Sequence, residues 1–222
     1  MVEPLAGTKS DGQIMVDIMN KMGYPQAPYD PETLLEEIRE IVPFFAGVNW
    51  KDLGEVGKQW PVKKDGSDTE ILHTETFTRG KGKFHYFDFK ESNELNKNGK
   101  EYPYIITTNR ELEHYNSGTM TRRTSNVDLL TEDVLLINPK DAQKHFISDG
   151  DMVCVESPRG KVDVKAKLTE DVKQGVLSTT FHFPEVLLNI ITSDEHDSET
   201  LCAEYKIVAV NIRKSKGEYK IK

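Results

Sequence analysis

The sequence predicts a protein of two unlike parts: an α-rich N-terminal piece over residues 1–98 and a mainly β, barrel-like C-terminal domain over residues 99–222. Three observations carry this reading. Apolar residues recur at helical spacing in two segments before Pro43. From Tyr102 onward they fall instead into short runs, YPYIITT, VLLINP, MVCVESP, KVDVKAKL, GVLSTTF and YKIVAVNI. The turn signals SDGD, SPRG and KQG divide those runs at the regular spacing of an all-β barrel or sandwich.

In chain order, Ser10 or Asp11 can cap a first helix in which Ile14, Met15, Ile18, Met19 and Met22 share a face, with Gly23 placed to end it. In the second helix Asp30 caps, Pro31 takes the first position and Leu34, Leu35, Ile38 and Ile41 form the stripe until Pro43. Both read as packing elements, the methionines as plain core. Residues from Pro43 to about Lys100 are loop-rich. There TRGKGKFHYFDF lacks the spacing of a phosphate loop and reads as a glycine turn between two short strands carrying Phe84, Tyr86, Phe87 and Phe89. In the β part, NPKDAQKHF reads as a short helix capped by Asn138, with Ala142 and Phe146 on one face. TTFHFPEVLLN reads as a strand entering a helix through Pro184.

At 222 residues the chain is long enough to bury its own core. With 29 basic and 37 acidic residues and net charge -8, it is not a general polyanion or nucleic-acid binder, whose affinity rests on many Lys and Arg contacts. Cys154 and Cys202 have no C-x-x-C spacing, which excludes an iron–sulfur cluster held within this chain and argues for a reducing compartment. No run approaches the roughly eighteen apolar residues of a membrane span, and no export signal is legible. A soluble, cytoplasmic protein is expected.

The densest chemistry follows the first strand. Asn109, Arg110, His114, Asn116, Ser117, Thr119, Thr121, Arg122 and Arg123 supply donors, and Glu111 and Glu113 supply carboxylates. Such a loop is either a solvated surface or a grip on a ligand carrying phosphates and a heterocycle. A catalytic His114 would need a nucleophile that does not accompany it, so orientation is its reading. Phe181, His182 and Phe183 either stack on a flat ligand or close the barrel core. Tyr205 and Lys206 begin the last apolar run and either reach a ligand or extend to solvent. The acidic residues 192–200 lack the spacing of a calcium loop and read as a connecting segment.

Taken together these pieces resemble one family. YPYIITTNRELEHYNSGTMTRR, the stretch from INPKDAQKHF to FHFPEVLLNIIT, and AEYKIVAV are similar to the C-terminal molybdopterin-dinucleotide-binding domain of molybdenum and tungsten oxidoreductases. HYNSGTMTRR, SPRGK and FHFPEVLLN in combination are most like the catalytic (alpha) subunit of formate dehydrogenases. Upstream, MNKMGY, LLEEIREIVPFFAGVNWKDL, QWPV and FTRGKGKFHYFDF resemble the end of that subunit's preceding catalytic domain.

The resemblance implies a six-stranded double-psi β-barrel over about residues 102–213, closing on a bis(molybdopterin guanine dinucleotide) cofactor with Mo or W. Position by position it implies cofactor-binding roles for Arg110, Glu111, His114, Asn116, Ser117 and Thr119, then His182 and Asn189, then Tyr205 and Lys206. It implies no catalytic or metal-ligating residue in this chain. The iron–sulfur domain and the metal-ligating cysteine or selenocysteine of a complete alpha subunit have no counterpart here. The expectation is therefore a cofactor-holding portion, inactive alone, that works with the N-terminal portion and electron-transfer subunits in oxidising formate. Two other readings share the residues: a piece of another pterin enzyme, of the nitrate reductase or formylmethanofuran dehydrogenase type, and a non-enzymatic double-psi barrel used as a binding module.

Overall fold

The computed structural model describes residues 5–216. The chain forms two compact units, divided between Tyr86 and Phe87.

The first unit holds the two expected helices. In α1 (Asp11–Lys21) the Ser10 hydroxyl accepts from the Gln13 amide, and Gly23 follows the helix at φ 83°. In α2 (Pro31–Ile41) the Asp30 carboxylate accepts from the Thr33 amide at 3.1 Å, and Val42 leaves the helical region just before Pro43. The apolar stripes do not form the expected core, because Ile14, Met15, Ile18, Met22, Leu34, Ile38 and Ile41 are exposed. Among the described residues of this unit only Val48 and Val62 are buried apolar side chains, so the stripes have too little apolar surface to close on. The segment after Gly80 also differs from expectation. A turn forms at Gly80, with its amide on the Phe77 carbonyl, but no strands flank it. A strand needs a paired neighbour, and Phe84 and Phe89 stand almost wholly in solvent.

The second unit is a closed six-stranded barrel. Its strands are β1 (Tyr104–Thr108), β2 (Val134–Ile137), β3 (Met152–Ser157), β4 (Gly160–Leu168), β5 (Val176–Thr179) and β6 (Val208–Lys214). Each expected apolar run supplies one of them. Around the barrel the order is β1-β5-β2-β4-β3-β6. The β1–β5 and β2–β4 pairs are parallel and the other four are antiparallel, the mixed order of a double-psi barrel. Period-two alternation points Ile106, Leu135, Ile137, Val153, Val155, Val164, Leu177, Val208 and Val210 inward. Each such side chain contributes about 1.5–3 kcal/mol relative to exposure, so the core of this unit lies inside the barrel.

Two short helices plug its flanks. In α3 (Asn93–Asn98), Glu94 is 1% exposed and accepts from the two terminal guanidinium nitrogens of Arg159, Nη2 and Nη1 (2.7 and 3.1 Å), the Ala209 amide (3.1 Å), the Ser193 hydroxyl (3.1 Å) and Asn98 (3.0 Å). Burial alone would push this carboxyl up, but the Arg159 and Ala209 bonds outweigh it and hold the carboxyl below its usual value. This clasp makes α3 part of the barrel unit, whereas the sequence reading divides the chain after residue 98. The helix Pro139–Lys144 is capped by Asn138 as expected and buries Ala142, but Phe146 lies beyond it at φ 55°, exposed and off that face.

Candidate functional site

The registers give the barrel a polarity. β1 and β5 run parallel and end together, since Thr108 pairs with Thr179. At the same end β2 begins, β6 begins, and the tight Ser157–Gly160 hairpin joins β3 to β4. Every segment carrying an expected site residue therefore leaves or enters the barrel at one end. The ladder runs one step past β1, with the Asn109 amide on the Thr179 carbonyl at 2.8 Å, before the polar loop departs.

His182 is the centre of that end. It is wholly buried, and its Nε2 accepts from the Glu111 amide at 3.0 Å while its Nδ1 donates to the Asn116 carbonyl. An acceptor at Nε2 and a donor at Nδ1 fix one neutral tautomer. His114 is also buried, and both its nitrogens are engaged: Nε2 donates to the Leu130 carbonyl at 2.9 Å and Nδ1 accepts from the Thr121 hydroxyl at 2.8 Å. Its ring meets Phe183 edge-on, centroids 5.0 Å apart. Both histidines are thus committed to protein groups and hold the loop's shape. The same loop turns at Asn116 (φ 48°) and Gly118 (φ 68°), where an added Cβ would stand 2.6 Å from the His182 carbonyl oxygen.

Held in this frame, Arg110, Glu111, Asn116, Ser117 and Thr119 are exposed. Among the described residues, no side chain or backbone group hydrogen-bonds their side chains; Arg110 only lies over the Phe181 ring at 5.8 Å. Arg122 is different. It donates to Glu185 at 2.6 Å and covers the Phe183 ring at 4.9 Å, and it holds the Glu185 carboxyl below its ordinary value. Lys206 also reaches this end, donating to the Thr108 carbonyl and hydroxyl. Tyr205 and Lys206 sit in a turn before β6 and not, as expected, at its start.

The segment after β5 does not enter a helix through Pro184. It makes a turn and then the short 3-10 stretch Leu188–Ile190, because its backbone is already bonded elsewhere. Asp133, 2% exposed, accepts from the His182 and Phe183 amides, both at 3.0 Å, and from the Thr180 hydroxyl. Asn189 lies in the 3-10 stretch beside the β3–β4 hairpin, where Arg159 donates to the Ile191 carbonyl at 3.0 Å. No hydrogen bond joins Asn189 or Tyr205 to the 109–120 loop among the described residues. Asp133 was missed, although a signal existed. Alternation puts residues 133, 135 and 137 on one face, and Leu135 and Ile137 are core.

Residues 104–209 match the family described as "Molydopterin dinucleotide binding domain". Among curated relatives, the F420-dependent formate dehydrogenase subunit alpha of Methanocaldococcus jannaschii is 37% identical over 219 residues, 96% of this chain and 32% of that protein. The F420-dependent formate dehydrogenase 2 subunit alpha of Methanococcus maripaludis is 40% identical over 185 residues, 82% of this chain and 27% of that protein. The chain thus spans about a third of the length of these relatives. Among solved structures, acetylene hydratase from Pelobacter acetylenicus superposes with a TM-score of 0.56 at 16% identity, over 96% of this chain and 34% of that one, a likeness of fold.

Proposed function

We propose, from the match of residues 104–209 to the molybdopterin dinucleotide binding domain family, that the chain is the cofactor-holding portion of a formate dehydrogenase alpha subunit. The cofactor is of the molybdopterin type; the finer reading is a bis(molybdopterin guanine dinucleotide) with Mo or W. One observation carries the proposal. Arg110, Glu111, Asn116, Ser117 and Thr119 present polar side chains that hydrogen-bond to nothing among the described residues, at one barrel end, on a loop locked from below by His182.

Those groups fit a dinucleotide. A guanidinium, an amide and two hydroxyls suit pyrophosphate oxygens, and the Glu111 carboxylate suits the N–H edges of a guanine or pterin ring. Arg110, Asn116, Ser117 and Thr119 would hold the phosphates, and Glu111 the heterocycle. His114 and His182 act one step back, fixing where those groups stand. Asn189, Tyr205 and Lys206 would complete the rim from the same end. When bound, such a cofactor supplies the redox chemistry of its metal. This chain's residues bind and orient it. We assign bond breaking in formate, the iron–sulfur relay and delivery of electrons to further subunits to parts of the enzyme outside these residues.

The test is Arg110→Ala in the assembled enzyme. Guanine dinucleotide and metal content per molecule falls, and turnover falls in proportion while the Michaelis constant for formate stays the same. Full pterin content with normal turnover would refute the assignment.

A further inference from the structure

Asp133 stands immediately before β2 and faces inward with Leu135 and Ile137, where an apolar residue would pack at less cost. Its carboxylate makes no ion pair among the described residues. It receives three donors, two of them the consecutive amides of His182 and Phe183. Only a carboxylate accepts at both oxygens from all three; the amide of an asparagine would set its own N–H groups against one of them. From this fixed backbone the His182 ring reaches both ends of the polar loop, the Glu111 amide and the Asn116 carbonyl.

We propose that Asp133 is the positioning residue of the 110–119 loop, acting through His182, so that a rigid barrel strand sets where the loop's ligand groups stand. The proposal deepens the cofactor reading, but the linkage from strand to loop does not depend on what the loop holds. In the full chain, Asp133→Asn leaves the size of the side chain unchanged. Hydrogen exchange at the amides of residues 111–118, 182 and 183 speeds up about tenfold or more, while amides of β3 and β6 keep their protection. Coupling separates this from a purely structural role. His182→Ala loosens residues 111–118 to a similar extent, and adding it to Asp133→Asn produces little further change. Guanosine diphosphate binds the full chain, and Asp133→Asn weakens it in parallel with the faster exchange.

Unchanged exchange at Glu111 in Asp133→Asn overturns the proposal, as does full additivity with His182→Ala. If Asp133→Asn does not fold, Thr180→Val removes one donor and gives the same pattern at smaller size; an unaltered loop in that folded variant is equally decisive. Failure of the wild-type chain to bind guanosine diphosphate, with exchange still coupled to Asp133, counts against the cofactor reading and leaves the positioning role standing.

Discussion

Gly118 shows how narrowly one residue can be specified. Its φ of 68° favours glycine, and a Cβ there would meet the His182 carbonyl at 2.6 Å and the Arg122 side chain at 3.0 Å. Gly150 has a similar φ of 80° with nothing within 4 Å. Gly150→Ala therefore costs only backbone strain, about 1 kcal/mol, whereas Gly118→Ala costs about 2–3 kcal/mol because the loop must also move. Chemical denaturation of the two variants measures the difference. At this scale the sequence shows where polar residues crowd after the first strand and not what they bond to. Arg110 and Glu111 follow directly from a strong apolar run, so their placement in a loop was legible. The roles of His114 and His182 were not, because their partners, the Leu130 carbonyl, the Thr121 hydroxyl, the Glu111 amide and the Asn116 carbonyl, are set by tertiary folding.

At the level of elements, the strands were legible because alternating burial leaves a period of two, and helix caps because Ser10, Asp30 and Asn138 bond the amides beside them. Elements that depend on a distant partner were not. Among the described residues the 84–89 segment has β-forming side chains and no strand to pair with, and the chain after β5 has a helix-starting proline but amides already held by Asp133. The Glu94–Arg159 clasp belongs here too, since it ties α3 to the β3–β4 hairpin and β6. Arg159→Met leaves a buried carboxylate without its cation and costs about 3 kcal/mol at neutral pH. The sign of its pH dependence follows. In the wild type the Glu94 carboxyl sits below its ordinary 4.5, so its contribution is present above that pH and is lost as pH falls through the lower folded value. In the variant the bonds and charge of Arg159 are gone while burial, which raises the carboxyl, remains, so the gap between the two proteins narrows as pH falls toward the carboxylate range. Urea denaturation at pH 7 and pH 5 should show the gap between the two proteins closing.

Across the whole molecule, burial is divided unevenly. The apolar cluster lies between Tyr104 and Ile212, whereas the unit before Phe87 buries only Val48 and Val62 among its described residues. Limited proteolysis of the full chain should therefore remove residues ahead of about Phe87 first and leave a resistant barrel fragment, identified by its mass. A resistant fragment that retains α1 and α2 contradicts this. The shared barrel end could not have been read from the sequence, because it depends on β1 lying parallel to β5 across a long stretch of chain. That polarity has a practical side. The turn at Ser148–Gly150 and the Lys173–Gly175 turn lie at the opposite end, with exposed residues in both. Once the exposed Cys202 is replaced by serine, a single cysteine introduced at Asp149 becomes the accessible thiol, since Cys154 is buried. Coupling through it to a gold electrode would hold the barrel by its far end and turn the polar loop toward solution.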